Sequence, residues 1–470
     1  MRHPVALSTI FLASVALCFG HIKAETTDSI PKTWSYTSDY YQNIPPEDFW
    51  WKQFNDPLLD SLINTGIDRN FNVAIAAKRI QLARQALRQA KSGYYPTLGL
   101  SAGWTKQRSS GDMTANRLPT TTIDYFSAGI DMSWEIDVFG RITADVKGAK
   151  ARLGVSKADY VAAMNSLCAE IATTYIQLRT LQAQLRTIDN QLQTQKRVLD
   201  IAKARHKAGL NSKLDVAQAS TICYSTESQI PSVKSNIISA INSIAVLLGE
   251  YPGALDSVLN TESPQPDYFH MIPVGVPLDL IRRRPDIRAA EAQMAAAAAQ
   301  TGMAKKDFLP RLSLQGTVGF DAHRLGDLFS SKSFGYEIAP KISWTIFDGF
   351  SRNASLTEAK ENLAIATDSY NLTLITAVEE VNNAMAVYYG ELQSINAVEK
   401  AVDQAKEEFT LSIDLYKQGL SDFLSVAQAQ ITLLENSNRL VAAKGNAATG
   451  MISIYKALGG GWDILNTNEQ

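Results

Sequence analysis

The side chains able to make or break bonds are few and scattered in this 470-residue sequence. The five histidines stand at 3, 21, 206, 270 and 323, without the close spacing that metal ligation uses. No phosphate-binding glycine loop, nucleophile elbow or paired acid motif occurs. His206, close to Gly209, reads as a solvated side chain. No cofactor signature is present, and nothing marks the chain as an enzyme. What remains is recognition and charge selection. Residues 207–219 read Lys-Ala-Gly-Leu-Asn-Ser-Lys-Leu-Asp-Val-Ala-Gln-Ala, and residues 417–429 read Lys-Gln-Gly-Leu-Ser-Asp-Phe-Leu-Ser-Val-Ala-Gln-Ala. Eight of the thirteen positions are identical, 210 residues apart.

Gly209 and Gly419 suit the left-handed backbone needed where a long helix reverses. A bare turn does not require the helix after it to match. Here Leu210 and Leu420 correspond, and Val216-Ala217-Gln218-Ala219 reappears as Val426-Ala427-Gln428-Ala429. That match favours a docking or mouth-closing surface over packing alone. Asp215, Asp422, Ser425 and Gln428 are the polar candidates for a gate beside these turns. A second polar set, Asp131, Glu135, Asp137, Glu337 and Lys341, lies on segments that alternate in polarity. It reads either as ordinary wetting of a polar face or as a cation-selecting lining.

The elements that position these residues follow from periodicity. Asp56 and Pro57 open a helix that runs to about Lys91. In 97–105 and 126–137 the period changes to two. Leu98, Leu100, Ala102 and Trp104 face one way, as do Phe126, Ala128, Ile130, Met132, Trp134 and Ile136. A Ser-, Gly-, Asn- and Thr-rich loop, 108–121, joins the two strands. From Arg141 to about Lys207 there is no proline, which predicts a helix about 100 Å long. A return helix follows over 213–247, with Pro231 predicting a kink or packing offset. Five prolines between 249 and 279 mark a linker between repeats.

The second half replays the first, with a helix over about 286–306 and strands carrying Leu312, Leu314, Val318 and Phe320, then Tyr336, Ile338, Ile342, Trp344 and Ile346. Pro340 interrupts the last strand and predicts a bulge or local break. A second rod covers about 352–417, and its return helix about 422–457.

Net charge is −2, so nothing global points to nucleic acid. Arg2 and His3 precede an apolar run, Val5–Phe19, that is too short to span a bilayer. The expected processing is cleavage after Ala24; lipidation at Cys18 is the rival, with Leu17 bulky where a small residue is usual. Cys168 and Cys223 fall far apart along the first helical hairpin, so no intrachain disulfide is expected. The organisation expected is a signal peptide (1–24), an arm (25–56), a first repeat (57–248), a linker (249–279), a second repeat (280–462) and a tail (463–470).

Four two-faced strands make a poor soluble sheet, and their aromatic residues suit a membrane interface. Four strands cannot close a barrel, and open edges cannot sit in lipid. Several chains must pool them. Three would give twelve strands, the simplest workable number, which the residues alone do not fix.

Four segments resemble the outer-membrane channel proteins of tripartite efflux pumps, the OprM/NodT branch of the TolC-like family. They are Trp50-Trp51-Lys52-Gln53-Phe54-Asn55-Asp56-Pro57-Leu58-Leu59-Asp60, Ser133-Trp134-Glu135-Ile136-Asp137-Val138-Phe139-Gly140-Arg141, Arg282-Arg283-Arg284-Pro285-Asp286-Ile287-Arg288 and Tyr455-Lys456-Ala457-Leu458-Gly459-Gly460-Gly461-Trp462. The resemblance implies an α+β membrane protein, a homotrimer whose twelve-stranded transmembrane barrel in outer-membrane lipid continues into a long α-helical barrel in the periplasm. It implies docking to a periplasmic adaptor (membrane fusion protein) and an inner-membrane pump, most often proton-driven. The chain would be a passive, gated duct exporting drugs or other small toxic compounds. Some members carry aspartates six and nine residues past the second turn glycine, where this chain has Ser425 and Gln428. The competing expectation is a periplasmic coiled-coil adaptor or scaffold, which leaves the four strands without a role.

Overall fold

The computed structural model describes residues 31, 33–34, 41–42, 49–108, 121–261, 263–265, 272–275, 277 and 280–460. The expected targeting segment with Cys18 and Ala24, most of the 108–121 loop, His270, Trp462 and the tail lie outside the described residues.

In chain order the elements are β1 (Tyr41–Gln42), a 3-10 turn (Trp50–Phe54), α1 (Pro57–Arg69), α2 (Phe71–Ser92), β2 (Thr97–Arg108), β3 (Thr122–Ile136) and α3 (Arg141–Lys207). There follow α4 (Lys213–Glu227), α5 (Ile230–Leu247), α6 (Asp256–Leu259), β4 (Ile272–Pro273), α7 (Leu280–Arg283) and α8 (Pro285–Lys306). The described elements finish with β5 (Arg311–Ala322), a 3-10 turn (Leu325–Asp327), β6 (Phe334–Ser343), α9 (Ser351–Gln418) and α10 (Phe423–Ala457). The expected helices α3 and α9 are continuous over 67 and 68 residues. The chain divides into two compact units, each drawing on both repeats. One comprises 1–77, 158–288 and 371–470; the other comprises 78–157 and 289–370.

The first unit is helical. Asp56 caps α1 by accepting from Leu58 N and Leu59 N at 2.9 and 3.3 Å, and Tyr175 donates to its other oxygen. The single helix expected from 57 to 91 is instead broken at Asn70. That side chain accepts from Asn72 N and Val73 N and donates to Leu247 O, so it both caps α2 and ties it to α5. Side-chain competition of this kind is why asparagine ends helices. Ser228 and Gln229 separate α4 from α5, and Pro231 lies in the first turn of α5, where its missing N–H costs nothing.

The described residues of the arm and linker make specific long-range contacts. β1 pairs in parallel with β4, and Tyr41 Oη donates to Met385 O at 2.5 Å. Trp50 stacks on Tyr455 with centroids 5.4 Å apart, and Tyr455 Oη donates to Gln53 Oε1. Arg284 is buried yet fully engaged, bonding Asp286, Glu380 and Ala457 O at 2.6–2.8 Å. Cys168 and Cys223 are both free and buried.

The second unit carries an antiparallel sheet in the order β2-β3-β5-β6. Its registers pair Leu100 with Ile130, Ile130 with Val318, and Val318 with Tyr336, so the even-numbered residues of all four strands share one apolar face. Pro340 causes no bulge: it pairs with Leu314 in unbroken register. Asp321 N donates to Ser333 O at 2.9 Å, which puts the odd-numbered residues of β5 and β6 in the hydrogen-bonded set. Bonded and non-bonded pairs alternate in antiparallel sheets, so the missing N–H of Pro340 faces the open edge. The strand ends at Ser343, short of Trp344 and Ile346, where its partner β5 begins at Arg311; Trp344 Nε1 donates to Phe308 O. Trp134 Nε1 makes the matching bond to Tyr94 O in the first repeat.

Between β3 and β5 two glycines, Gly129 and Gly319, face each other. A Cβ on Gly319 would lie 2.6 Å from Ala128 O and 2.7 Å from Gly129 Cα. Only glycine permits this backbone approach. At the sheet-to-helix junction Asp137 accepts from Ile142 N at 2.9 Å and from Thr143 N and Oγ1 at 2.8 and 2.7 Å. Burial alone would raise its pKa. The Thr143 and Ile142 bonds, with Lys306 nearby, hold it below the ordinary 3.8. At the second junction Arg352 bonds the Asp348 carboxylate at 2.6 Å, the Asp307 carbonyl at 3.1 Å and the Thr345 carbonyl.

Gly319→Val should destabilise the folded chain by about 1–3 kcal/mol through overpacking, read by thermal unfolding in detergent. A lowered carboxylate pKa stabilises above the unfolded value and loses that contribution as pH falls through the folded one. Asp137→Ala should therefore cost about 1 kcal/mol at neutral pH, and its deficit against the parent should shrink in acid; a deficit that stays constant down to pH about 2 would refute the charged-cap account.

Candidate functional site: the paired helical turns

α3 and α9 end in the same motif. Gly209, at φ +74°, donates to His206 O while Leu210 N donates to Arg205 O. Gly419, at φ +77°, donates to Tyr416 O while Leu420 N donates to Leu415 O. These are paired Schellman closures, in which a left-handed residue lets two backbone donors reach the last orphan carbonyls. Leu210 and Leu420 are 65% and 71% exposed. One helical turn beyond each, Leu214 and Leu424 are 63% and 61% exposed. The sequence reading missed this second pair, although it lay in the repeat as an identity. Each turn thus offers two leucines to solvent, beside the buried Tyr416, Phe423 and Val426.

The returning helices are capped by the same two residue types in opposite order. In the first repeat Ser212 Oγ accepts from Leu214 N at 3.0 Å and donates to Asp215 Oδ1 at 3.3 Å. In the second, Asp422 Oδ1 accepts from Ser425 N and Ser425 Oγ at 3.1 and 2.9 Å. The asymmetry between Asp215 and Ser425 is thus an exchange of cap and third-position residue. In the second repeat both side chains are engaged locally, and Gln428 is exposed. In the first, the cap leaves Asp215 Oδ2 available.

That oxygen accepts from Tyr416 Oη, 3.2 Å away on the other repeat. Asn211 Nδ2 donates to the same hydroxyl at 2.8 Å and to Ala202 O at 3.0 Å. Arg205 donates to Lys417 O at 2.7 Å with its guanidinium 4.9 Å from the Tyr416 ring centre. Burial raises the Tyr416 pKa, which keeps the hydroxyl protonated and a donor. Tyr416 also meets Phe423 edge-on at 5.5 Å, within a packed cluster that includes Val198, Ala202, Ala219, Phe409 and Val426. Offset by 210 residues, Tyr416 and Phe423 replace His206 and Lys213. The repeat-breaking positions are the ones that bridge the two hairpins. Arg205, Asn211 and Tyr416 were not among the sequence candidates; the positions where the repeat loses identity were the available signal.

The other polar set is dispersed in role. Asp131 accepts from Ser101 Oγ at 2.7 Å and Thr317 Oγ1 at 3.2 Å, linking three strands across the polar face. Glu337 and Lys341 are exposed on β6, on that same odd-numbered face. Glu135 holds Arg141 through two bonds of 2.8 and 2.9 Å. Asp137 lies past the end of β3, and its carboxylate is taken up by the cap of α3. It is therefore a junction residue and not a free carboxylate on a strand face. Among the described residues no group of three or more His, Cys, Asp or Glu is placed to hold a metal ion.

The sequence matches the family described as outer membrane efflux protein over residues 62–250 and 276–460. It is 29% identical over 418 residues to nodulation protein T of Rhizobium leguminosarum bv. trifolii, covering 88% of each chain. It is 30% identical over 419 residues to the solvent efflux pump outer membrane protein SrpC of Pseudomonas putida, covering 87% of each. Its fold matches that of the outer-membrane channel OprN with a TM-score of 0.86 at 30% identity, covering 92% of this chain and 98% of that one. With both repeats inside the match, and with a two-faced sheet and two long helical hairpins in one chain, the protein belongs to the outer membrane efflux protein family and is an outer-membrane efflux channel with its helical part in the periplasm.

Proposed function

We propose that three copies of this chain form the passive, gated duct of a tripartite efflux system, carrying drugs or other small toxic compounds outward. The observation that carries the reading is the sheet with two open, matching edges. Even-numbered residues of β2 and β6 turn their N–H and C=O groups to the open sides, as the alternation of pairs requires. The same residues place Leu98, Leu100, Trp104, Tyr336, Ile338 and Ile342 on the apolar face. Joining β6 of one copy to β2 of the next therefore keeps the antiparallel order and continues one apolar face. Twelve strands from three copies close without an edge, as lipid demands. The adaptor or scaffold alternative has no use for such a sheet. Within this reading 1–24 is the signal peptide, 25–56 the arm, 57–248 and 280–462 the repeats, 249–279 the linker and 463–470 the tail.

The exposed leucines of the two turns are the docking surface for a periplasmic adaptor, through which an inner-membrane pump is coupled. The energy comes from that pump. The Asp215–Tyr416–Asn211 bonds and the Arg205–Lys417 contact act as a latch between hairpins. Each such bond is worth about 1 kcal/mol net, so the latch holds at rest and yields to a docked partner. SrpC carries solvent efflux in its name, which supports small apolar cargo here.

Deleting the gene and screening dyes, antibiotics, solvents and metals tests the export role; unchanged tolerance to all of them would count against it. Leu210→Asp or Leu420→Asp should abolish export while a heat-modifiable trimer still assembles in the outer membrane; normal resistance in either variant would sink the docking role. Asp215→Asn combined with Tyr416→Phe should raise single-channel conductance in planar bilayers, and conductance equal to the parent would rule out the latch.

A further inference from the structure

The helices that adjoin the sheet are strongly basic in the first repeat alone. The last fifteen residues of α2 (78–92) and the first seventeen of α3 (141–157) hold ten Lys or Arg and one acid, Asp145. The matching stretches of α8 and α9, 292–306 and 351–367, hold four Lys or Arg and two Glu. Arg141 is taken up by Glu135, and Arg152 lies 3.9 Å from Asp145. Arg84, Arg88, Lys91, Lys147 and Lys150 form no ion pair among the described residues. Arg84 is half-buried and the other four are exposed.

The side they face follows from a cleft on the opposite one. Ala86 and Ala90 of α2, Asp145 and Arg152 of α3, and Ser133 and Glu135 of β3 line it together. Odd-numbered strand residues form the polar face of the sheet, so the cleft opens on that side. Successive helical residues are turned by about 100°. Arg84, Arg88 and Lys91 therefore stand about 150° or more round α2 from the cleft, and Lys147 and Lys150 about 150° round α3. They point to the side on which the sheet is apolar. Gly93 lies against Ile142, so the two helices pack side by side and the five cations make one patch. At about 1.5 Å per residue, all five lie within about 14 Å of the helix ends nearest the sheet.

We infer that Arg84, Arg88, Lys91, Lys147 and Lys150 bind the phosphates of anionic phospholipids in the periplasmic leaflet of the outer membrane. The inference rests on the reading that the apolar face of the sheet lies in hydrocarbon. Continuity with that face brings the patch to the polar layer of the bilayer, which is about 5–8 Å deep on each side. Long Lys and Arg stems extend the reach of the patch toward it. Charge then selects among headgroups. A zwitterionic headgroup carries its own cation, whereas phosphatidylglycerol presents a phosphate without one, which Arg can hold through two parallel bonds. At the five corresponding places the second repeat has Ala298, Gly302, Lys305, Thr357 and Lys360. Each chain thus carries one sector that selects anionic lipid and one that is nearly neutral.

The test reconstitutes the full chain in phosphatidylcholine vesicles with a trace of spin-labelled phosphatidylglycerol or spin-labelled phosphatidylcholine. Electron paramagnetic resonance then reads the fraction of each label that the protein immobilises. The parent should favour phosphatidylglycerol by about fivefold or more, the equivalent of one fully engaged cation, and added salt should weaken the preference. Replacing Arg88, Lys91, Lys147 and Lys150 together by Gln should bring the ratio close to one. Lys147→Gln with Lys150→Gln, a milder change for use if the fourfold variant assembles poorly, should at least halve the preference. Lys305→Gln with Lys360→Gln should leave it unchanged. Equal immobilisation of the two labels by the parent would overturn the patch while leaving the sheet in lipid. So would a preference that survives the fourfold replacement, or one that the Lys305 and Lys360 changes remove just as fully. If neither label is immobilised, the reading that places the sheet in hydrocarbon has failed, and the lipid site with it.

Discussion

A β-strand edge cannot be left bare in hydrocarbon, and this chain makes a sheet with two of them. Each unpaired backbone group there would cost several kcal/mol. The sheet is therefore complete only when its edges meet strands from elsewhere. The sequence is consistent with that at each level. Alternation puts apolar side chains on one face, the registers bring those faces into line across all four strands, and parity lets β6 and β2 accept one another. Pro340 sits on the open side of β6, where it removes one donor from the edge. α3 and α9 begin a few residues after β3 and β6, so whatever closes the sheet also spaces the starts of the long helices.

The helical turns show how a duplicated element acquires two roles without losing its shape. Both keep the glycine, the leucine pair and the Schellman closure. The exchange of serine and aspartate at the caps leaves each helix start satisfied, yet it leaves one carboxylate oxygen unused in the first repeat. Tyr416 reaches that oxygen from the second. A cap, worth about 1 kcal/mol in helix stability, is here also one half of a contact between hairpins.

Much of this was legible in the residues. The strands were, because period two with tryptophans and isoleucines on one face fits a pleated ribbon and no helix. The lengths of α3 and α9 were, because some 65 residues without proline leave a helix little reason to stop. Asn70 was not, since the pattern on either side is helical and only the carbonyl of Leu247 shows why a break there is stable. Asp137 was assigned to a strand face because alternation in sequence runs one residue past the pairing in space. The Tyr416 bridge was illegible for a different reason: periodicity describes each hairpin alone, and contact between hairpins appears only when both are placed.

The stacking of Trp50 on Tyr455 joins residues that the chain delivers at opposite ends of its synthesis. The Tyr455–Gln53 bond spans 402 positions and the Tyr41–Met385 bond 344. Contacts this distant in sequence close late and slowly. The first unit, built from three separated segments, cannot finish folding until its last helix has been exported. Throughout that interval the two-faced strands of the second unit, made earlier, stand in water with their edges open to aggregation. Biogenesis of this channel thus calls for holding an unfinished chain soluble, for an interval lengthened by where Tyr455 falls in the sequence.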